Sequence, residues 1–146
     1  MIYSQNEEEL ISIGQKLGRL LNSGDIIVLS GDLGAGKTTL TKGIAKGLDV
    51  SQMIKSPTYT IVREYEGRLP LYHLDVYRIG DIEEMDEIGY EDYFYGEGVC
   101  LIEWADLIQE ILPPDVIAIE IEKNLEKGFD YRKITISDPE EKKAQL

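Results

Sequence analysis

Apolar and polar positions along this chain sort into segments of two periods. Leu10, Ile13, Leu17, Leu20 and Leu21 recur at helical spacing, and Ser4 followed by Glu7 fits a capping box. A first helix is therefore predicted, ending near Gly24, with Ile2-Tyr3-Ser4 before it as a short edge strand. Residues 25–30, DIIVLS, form a short apolar run of the kind buried on both faces of a sheet. Leu40, Ile44 and Leu48 lie four apart and predict a second helix from Lys37 to about Lys46, with Gly47 as its C-cap. Residues 59–79 read as two strands around a turn at Glu66-Gly67-Arg68, and Pro70 puts the second of them at an edge or a strand start. Residues 81–95 are acidic and helical in part. Residues 98–104, GVCLIEW, give another buried strand, and ADLIQEIL gives a helix stopped by Pro113-Pro114. DVIAIEIE and YRKITIS alternate as half-buried strands do, and residues 138–146 form a frayed tail. Helices and strands alternate early and strands dominate late. The expectation is one α/β domain over residues 1–137, with a mixed, mostly parallel sheet flanked by helices and an antiparallel hairpin.

Length and composition narrow the function classes. With 146 residues the chain is long enough for one core and too short for two. No apolar run approaches the ~20 residues of a membrane span. The N-terminal MIYSQNEEEL lacks the basic and apolar regions of a signal peptide. A single cysteine, Cys100, excludes an intrachain disulfide and fits a reducing cytoplasm. The net charge of −13 argues against unassisted nucleic-acid binding. That charge is uneven: Lys37 to Arg78 holds seven basic and four acidic residues, whereas Asp81 to Glu110 holds eleven acidic residues and no basic one. The first stretch suits phosphates; the second suits basic partner surfaces.

The strongest chemical signal sits between the first buried strand and the second helix. Gly31-Asp32-Leu33-Gly34-Ala35-Gly36-Lys37-Thr38 fits G-x-x-x-x-G-K-[ST] in full, and Thr39 extends it. Backbone N–H groups must wrap a β-phosphate, and glycines leave room for that approach. The helix N-terminus adds its dipole and open donors, Lys37 reaches the β- and γ-oxygens, and Thr38 offers a hydroxyl to Mg²⁺. A nucleotide hydrolase also needs carboxylates at neighbouring strand ends. VCLIE ends in Glu103 and LYHLD ends in Asp75, and in a parallel sheet such ends gather at one rim. Two acids there divide roles between binding the metal and orienting water. Ser56-Pro57-Thr58 resembles a switch segment in which Thr58 senses a γ-phosphate. Trp104 reads either as core packing or as a contact beside the nucleotide. Asp86-x-x-Gly89 matches a GTP-protein motif but follows no buried strand, and no guanine reader accompanies it, so ATP is expected. His73, without Cys or His partners at ligand spacing, reads as structural, and Cys100 as inert.

Taken in order, GDLGAGKTTLTKGIAKGL, SPTYTIVREYEG, LYHLDVYRI and LIEWADLI resemble the TsaE (YjeE) family over nearly all of residues 1–137. The resemblance implies a small P-loop fold that binds ATP and Mg²⁺. It implies a weak ATPase dependent on the partner proteins TsaB and TsaD. Those partners modify the adenosine beside the anticodon in tRNAs that read codons beginning with A, so tRNA is met through the complex. It further implies that Thr38 and Glu103 ligate Mg²⁺, that Asp75 is needed for hydrolysis and that Trp104 lies by the active site. The competing readings are a P-loop small-molecule kinase and a nucleotide-gated binding module without turnover. A kinase would clamp the moving phosphoryl group with paired arginines, and the five arginines here show no such cluster. The loop near Lys123 and Asn124, or the N-terminal segment, is expected to cover the base.

Overall fold

In the computed structural model, residues 2–31, 35–52, 54, 62–76, 82–103, 105–128 and 130–137 are described. They form β1 (Ile2–Ser4), α1 (Glu7–Leu20), β2 (Ile26–Gly31), α2 (Lys37–Gly47), β3 (Val62–Tyr65), β4 (Leu71–Asp75), α3 (Ile82–Glu87), α4 (Tyr90–Phe94), β5 (Val99–Glu103), β6 (Ile117–Lys123) and β7 (Arg132–Ser137). One seven-stranded sheet runs in the order β1-β7-β6-β2-β5-β4-β3. Strands β6, β2, β5 and β4 are parallel; β7 and β3 run against their neighbours. The expected mixed, mostly parallel sheet with a β3–β4 hairpin is present. No helix among the described residues is long and apolar enough to cross a membrane.

The pleat divides the core in two. Ile27, Leu29, Leu101, Ile117, Ile119 and Ile121 pack under α1 and α2. Ile26, Leu74, Cys100 and Ile102 pack on the other face with Met85 of α3 and Phe94 of α4. All five residues of β5 are buried, as a central parallel strand covered on both faces requires.

Glycines set the distance between α1 and α2. A Cβ on Gly14 would lie 2.6 Å from the Leu40 carbonyl oxygen, and one on Gly18 would fall on that of Ile44. From the other side, Cβ atoms on Gly43 and Gly47 would fall on the carbonyls of Ile11 and Gln15. Each helical glycine costs roughly 1 kcal/mol of propensity. The close approach buries Leu17, Leu40 and Ile44 completely, each worth roughly 1.5–3 kcal/mol, so packing wins. Gly47 is thus the last helical residue rather than the cap expected from sequence; Leu48 caps α2.

Three further expectations are corrected. Ser4 does not cap α1, because it is consumed by β1, opposite Arg132. Asn6 caps instead: its Oδ1 accepts from the Glu9 N–H at 2.9 Å, while Glu9 Oε2 accepts from the Gln5 N–H at 2.8 Å. Leu20 is 43% exposed, since α1 ends there and the extended backbone at Leu21 turns that side chain into the core. The segment after β5 forms 3-10 turns over Ala105–Ile111 that meet at Ile108 (φ −124°, ψ 20°). Leaving helical dihedrals accompanies complete burial of Ile108.

Candidate functional site

The site forms where β2 hands over to α2. Gly31 closes β2 in register with Ile121, and a Cβ on it would stand 2.7 Å from the Ile121 carbonyl oxygen. Only glycine lets the chain leave the sheet so close to β6. Asp32, Leu33 and Gly34 lie outside the described residues. Gly36 resumes the path at φ 110°, ψ 16°, a left-handed conformation, as the N-cap of α2. Gly36 makes no side-chain cap bond, and a helix N-terminus of this kind offers backbone donors and a dipole that favour an anion. Ala35 is buried, and its carbonyl accepts from Arg132 Nε at 2.7 Å. Thr38 is exposed on the first turn, and Thr39 is half-buried beside it.

Across the sheet, register brings the carboxylates level. Glu103 at the end of β5 pairs with Leu29 of β2 on one side and with Asp75 at the end of β4 on the other. In-register residues on adjacent strands point to one face, here the face that α2 covers. Glu103 is 7% exposed, and its Oε1 lies 4.0 Å from Lys37 Nζ. Two of the three expected catalytic groups therefore meet directly, and Asp75 stands one strand away. A carboxylate and an exposed hydroxyl are hard oxygen donors of the kind that Mg²⁺ takes. Among the described residues no group of three or more His, Cys, Asp or Glu side chains could hold a metal. Ser56, Pro57, Thr58 and Trp104 lie outside the described residues.

A cleft of about 180 Å³ opens beside Gly36 and Thr39, walled by Asn6, Glu7 and Arg132. The N-terminal segment thus flanks the loop. Lys123 and Asn124 line another cavity of about 560 Å³, together with Tyr3 and Tyr131, whose rings stack at 5.8 Å.

Sequence reading missed two side chains of this site. His73, read as structural, places Nε2 2.6 Å from Glu103 Oε2. Arg132 ties β7 to the loop from 97 residues away. Neither has a local signal; the alternation of LYHLD, which puts His73 and Asp75 on one face, was the nearest clue. On the opposite face Cys100, expected to be inert, is fully buried. Burial pushes its thiol to about 12, and Sγ donates to the Tyr93 carbonyl.

Comparison with known proteins places this geometry. Residues 4–134 match the family model described as "Threonylcarbamoyl adenosine biosynthesis protein TsaE". The chain is 48% identical to the tRNA threonylcarbamoyladenosine biosynthesis protein TsaE of Bacillus subtilis, covering 90% of this chain and 81% of that one. It is 42% identical to the Treponema pallidum protein of the same name, covering 81% and 87%. The crystal structure of Bacillus subtilis YdiB superposes with a TM-score of 0.77 at 42% identity, covering 94% of this chain and 83% of that one.

Proposed function

The chain belongs to the TsaE family, which acts in tRNA threonylcarbamoyladenosine biosynthesis, and from that premise we propose that it is an ATPase whose hydrolysis of ATP drives the modification. Its partners in this reading are TsaB and TsaD, and its targets are tRNAs that read codons beginning with A. The observation that carries the ATPase reading is the row at the sheet rim. Lys37, the first residue of α2 after the glycine N-cap, lies 4.0 Å from Glu103, and Asp75 is in register with Glu103.

The chemistry follows from these groups. The N–H groups at the start of α2 hold the phosphates, and Lys37 exchanges Glu103 for their oxygens. Glu103 and the Thr38 hydroxyl would hold Mg²⁺, which would supply neutralisation of negative charge on the phosphates. Asp75, level with Glu103 on the adjoining strand, orients the attacking water and accepts its proton. Water adds to the γ-phosphorus as the bond to the β-bridging oxygen breaks, giving ADP and phosphate. The cleft beside Gly36 and Thr39 receives the nucleoside end. In this reading Thr58, in the Ser56-Pro57-Thr58 segment, responds to the γ-phosphate, and Trp104 covers the site.

ATP turnover measured alone, then with TsaB, TsaD and tRNA, tests the proposal. Slow hydrolysis that accelerates with all three supports it. No turnover in the full mixture defeats it, and turnover stimulated instead by a small metabolite would identify a kinase. Two of the five arginines are already engaged, Arg68 on the Gly18 and Leu21 carbonyls and Arg132 on Ala35, which speaks against a kinase clamp.

A further inference from the structure

His73 is the only histidine in the chain and is 1% exposed. Its Nε2 meets Glu103 Oε2 at 2.6 Å, while the other carboxylate oxygen, Oε1, faces Lys37 Nζ at 4.0 Å. An ionised carboxylate offers only acceptors, so a hydrogen bond from His73 to ionised Glu103 needs a proton on Nε2. The two oxygens of Glu103 thereby face different neighbours. The remaining ring nitrogen, Nδ1, is buried and has no hydrogen-bond partner among the described residues. An unpaired buried nitrogen costs about 1–3 kcal/mol, which an apolar side chain at this position would avoid. Core filling alone therefore does not account for an imidazole here. Its cross-strand partner, Arg63, presents a second buried nitrogen, Nε, without a hydrogen-bond partner among the described residues. That Nε–H is a donor, and Nδ1 of the Nε2–H tautomer is an acceptor, so the pair of orphaned atoms has matching polarity.

We propose that His73 is a positioning residue: as the Nε2–H tautomer it fixes Glu103 so that Oε1 stays aimed at the phosphate side, where the metal is held. The inference rests on the nucleotide reading above and adds to it the group that orients the metal carboxylate. Partners of this kind change metal affinity by about 10–100-fold when removed.

Two measurements test it. Because there is one histidine, ¹⁵N-histidine labelling reports on His73 alone. A protonated Nε2 is expected in the free protein, and an Nε2 without a proton overturns the proposal whatever the protein binds. The second compares His73→Leu with His73→Gln, whose amide nitrogen donates from nearly the same place, by calorimetry of ADP with Mg²⁺ and again with EDTA. His73→Leu should weaken Mg²⁺-dependent ADP binding about tenfold. His73→Gln should recover most of that loss, and both should bind ADP in EDTA as the wild type does. Equal losses in both variants, or a loss that persists in EDTA, would show a packing role and overturn the positioning. If the wild type itself binds no ADP, the nucleotide reading falls and the metal half of this inference falls with it; the tautomer measurement still judges the contact with Glu103.

Discussion

The two faces of the sheet are built from the same strands and carry different properties. On β4, His73 and Asp75 turn toward α2, while Tyr72 and Leu74 turn toward α3 and α4. On β5, Leu101 and Glu103 face α2, and Cys100 and Ile102 face away. Every charged side chain of the candidate site therefore lies on one face, under a helix pair locked by glycines. The other face holds a sealed thiol, an apolar cluster and, outermost, acidic residues of α3 and α4. Alternation along a strand is enough to separate chemistry from packing, residue by residue.

That contrast is open to attack, and the largest expected effect lies on the sealed face. With its thiol pushed from 9.0 to about 12 by burial, native Cys100 should react with alkylating reagents at pH 8 roughly a thousandfold more slowly than in denaturant. Rates measured with and without urea check this, and equal rates would mean the face is open. The same burial favours the folded state below pH 9, and this contribution should fade as pH rises from 9 toward about 12. Next comes Lys37→Ala on the other face, expected to weaken ADP binding roughly a hundredfold through loss of a charged phosphate contact. Calorimetry reads it, and unchanged affinity would remove the site from α2.

Gly18→Ala separates two effects of opposite sign. Helix propensity would gain about 1 kcal/mol, whereas a methyl forced onto the Ile44 carbonyl costs about 1–3 kcal/mol. A net loss is expected in urea denaturation; a gain would mean that the helices can separate freely. The smallest effect belongs to charge reversal at Glu83, Asp86 and Glu87, which are exposed. Stability should stay within about 0.5 kcal/mol, as for surface substitutions generally. Binding to TsaB and TsaD at low salt should weaken if this surface docks them, and undiminished binding would leave the acidic residues a solubilising role.

The legible parts of the molecule were the local ones. Strand β2 and helix α2 could be read because their apolar periodicity lies within one stretch, around glycines and Lys37. The placement of Asp75 and Glu103 at one rim also held, since parallel strands align their ends. What escaped depends on chain segments meeting in space. Contact between His73 and Glu103 spans 30 residues. The glycines at 14, 18, 43 and 47 look like helix defects until two helices are brought together. Ser4 misled because strand pairing with β7 claimed a residue whose side chain suits a cap equally well.

Arg132 bears on how the protein should be handled. Its Nε grips the Ala35 carbonyl from the last strand of the sheet. Trimming back into β7 would remove the arginine that fastens Ala35 ahead of α2, together with the buried Ile134. Fusions and purification handles belong beyond Ser137, and a shortened variant with poor nucleotide affinity should be suspected of a loosened anchor before any catalytic explanation is sought.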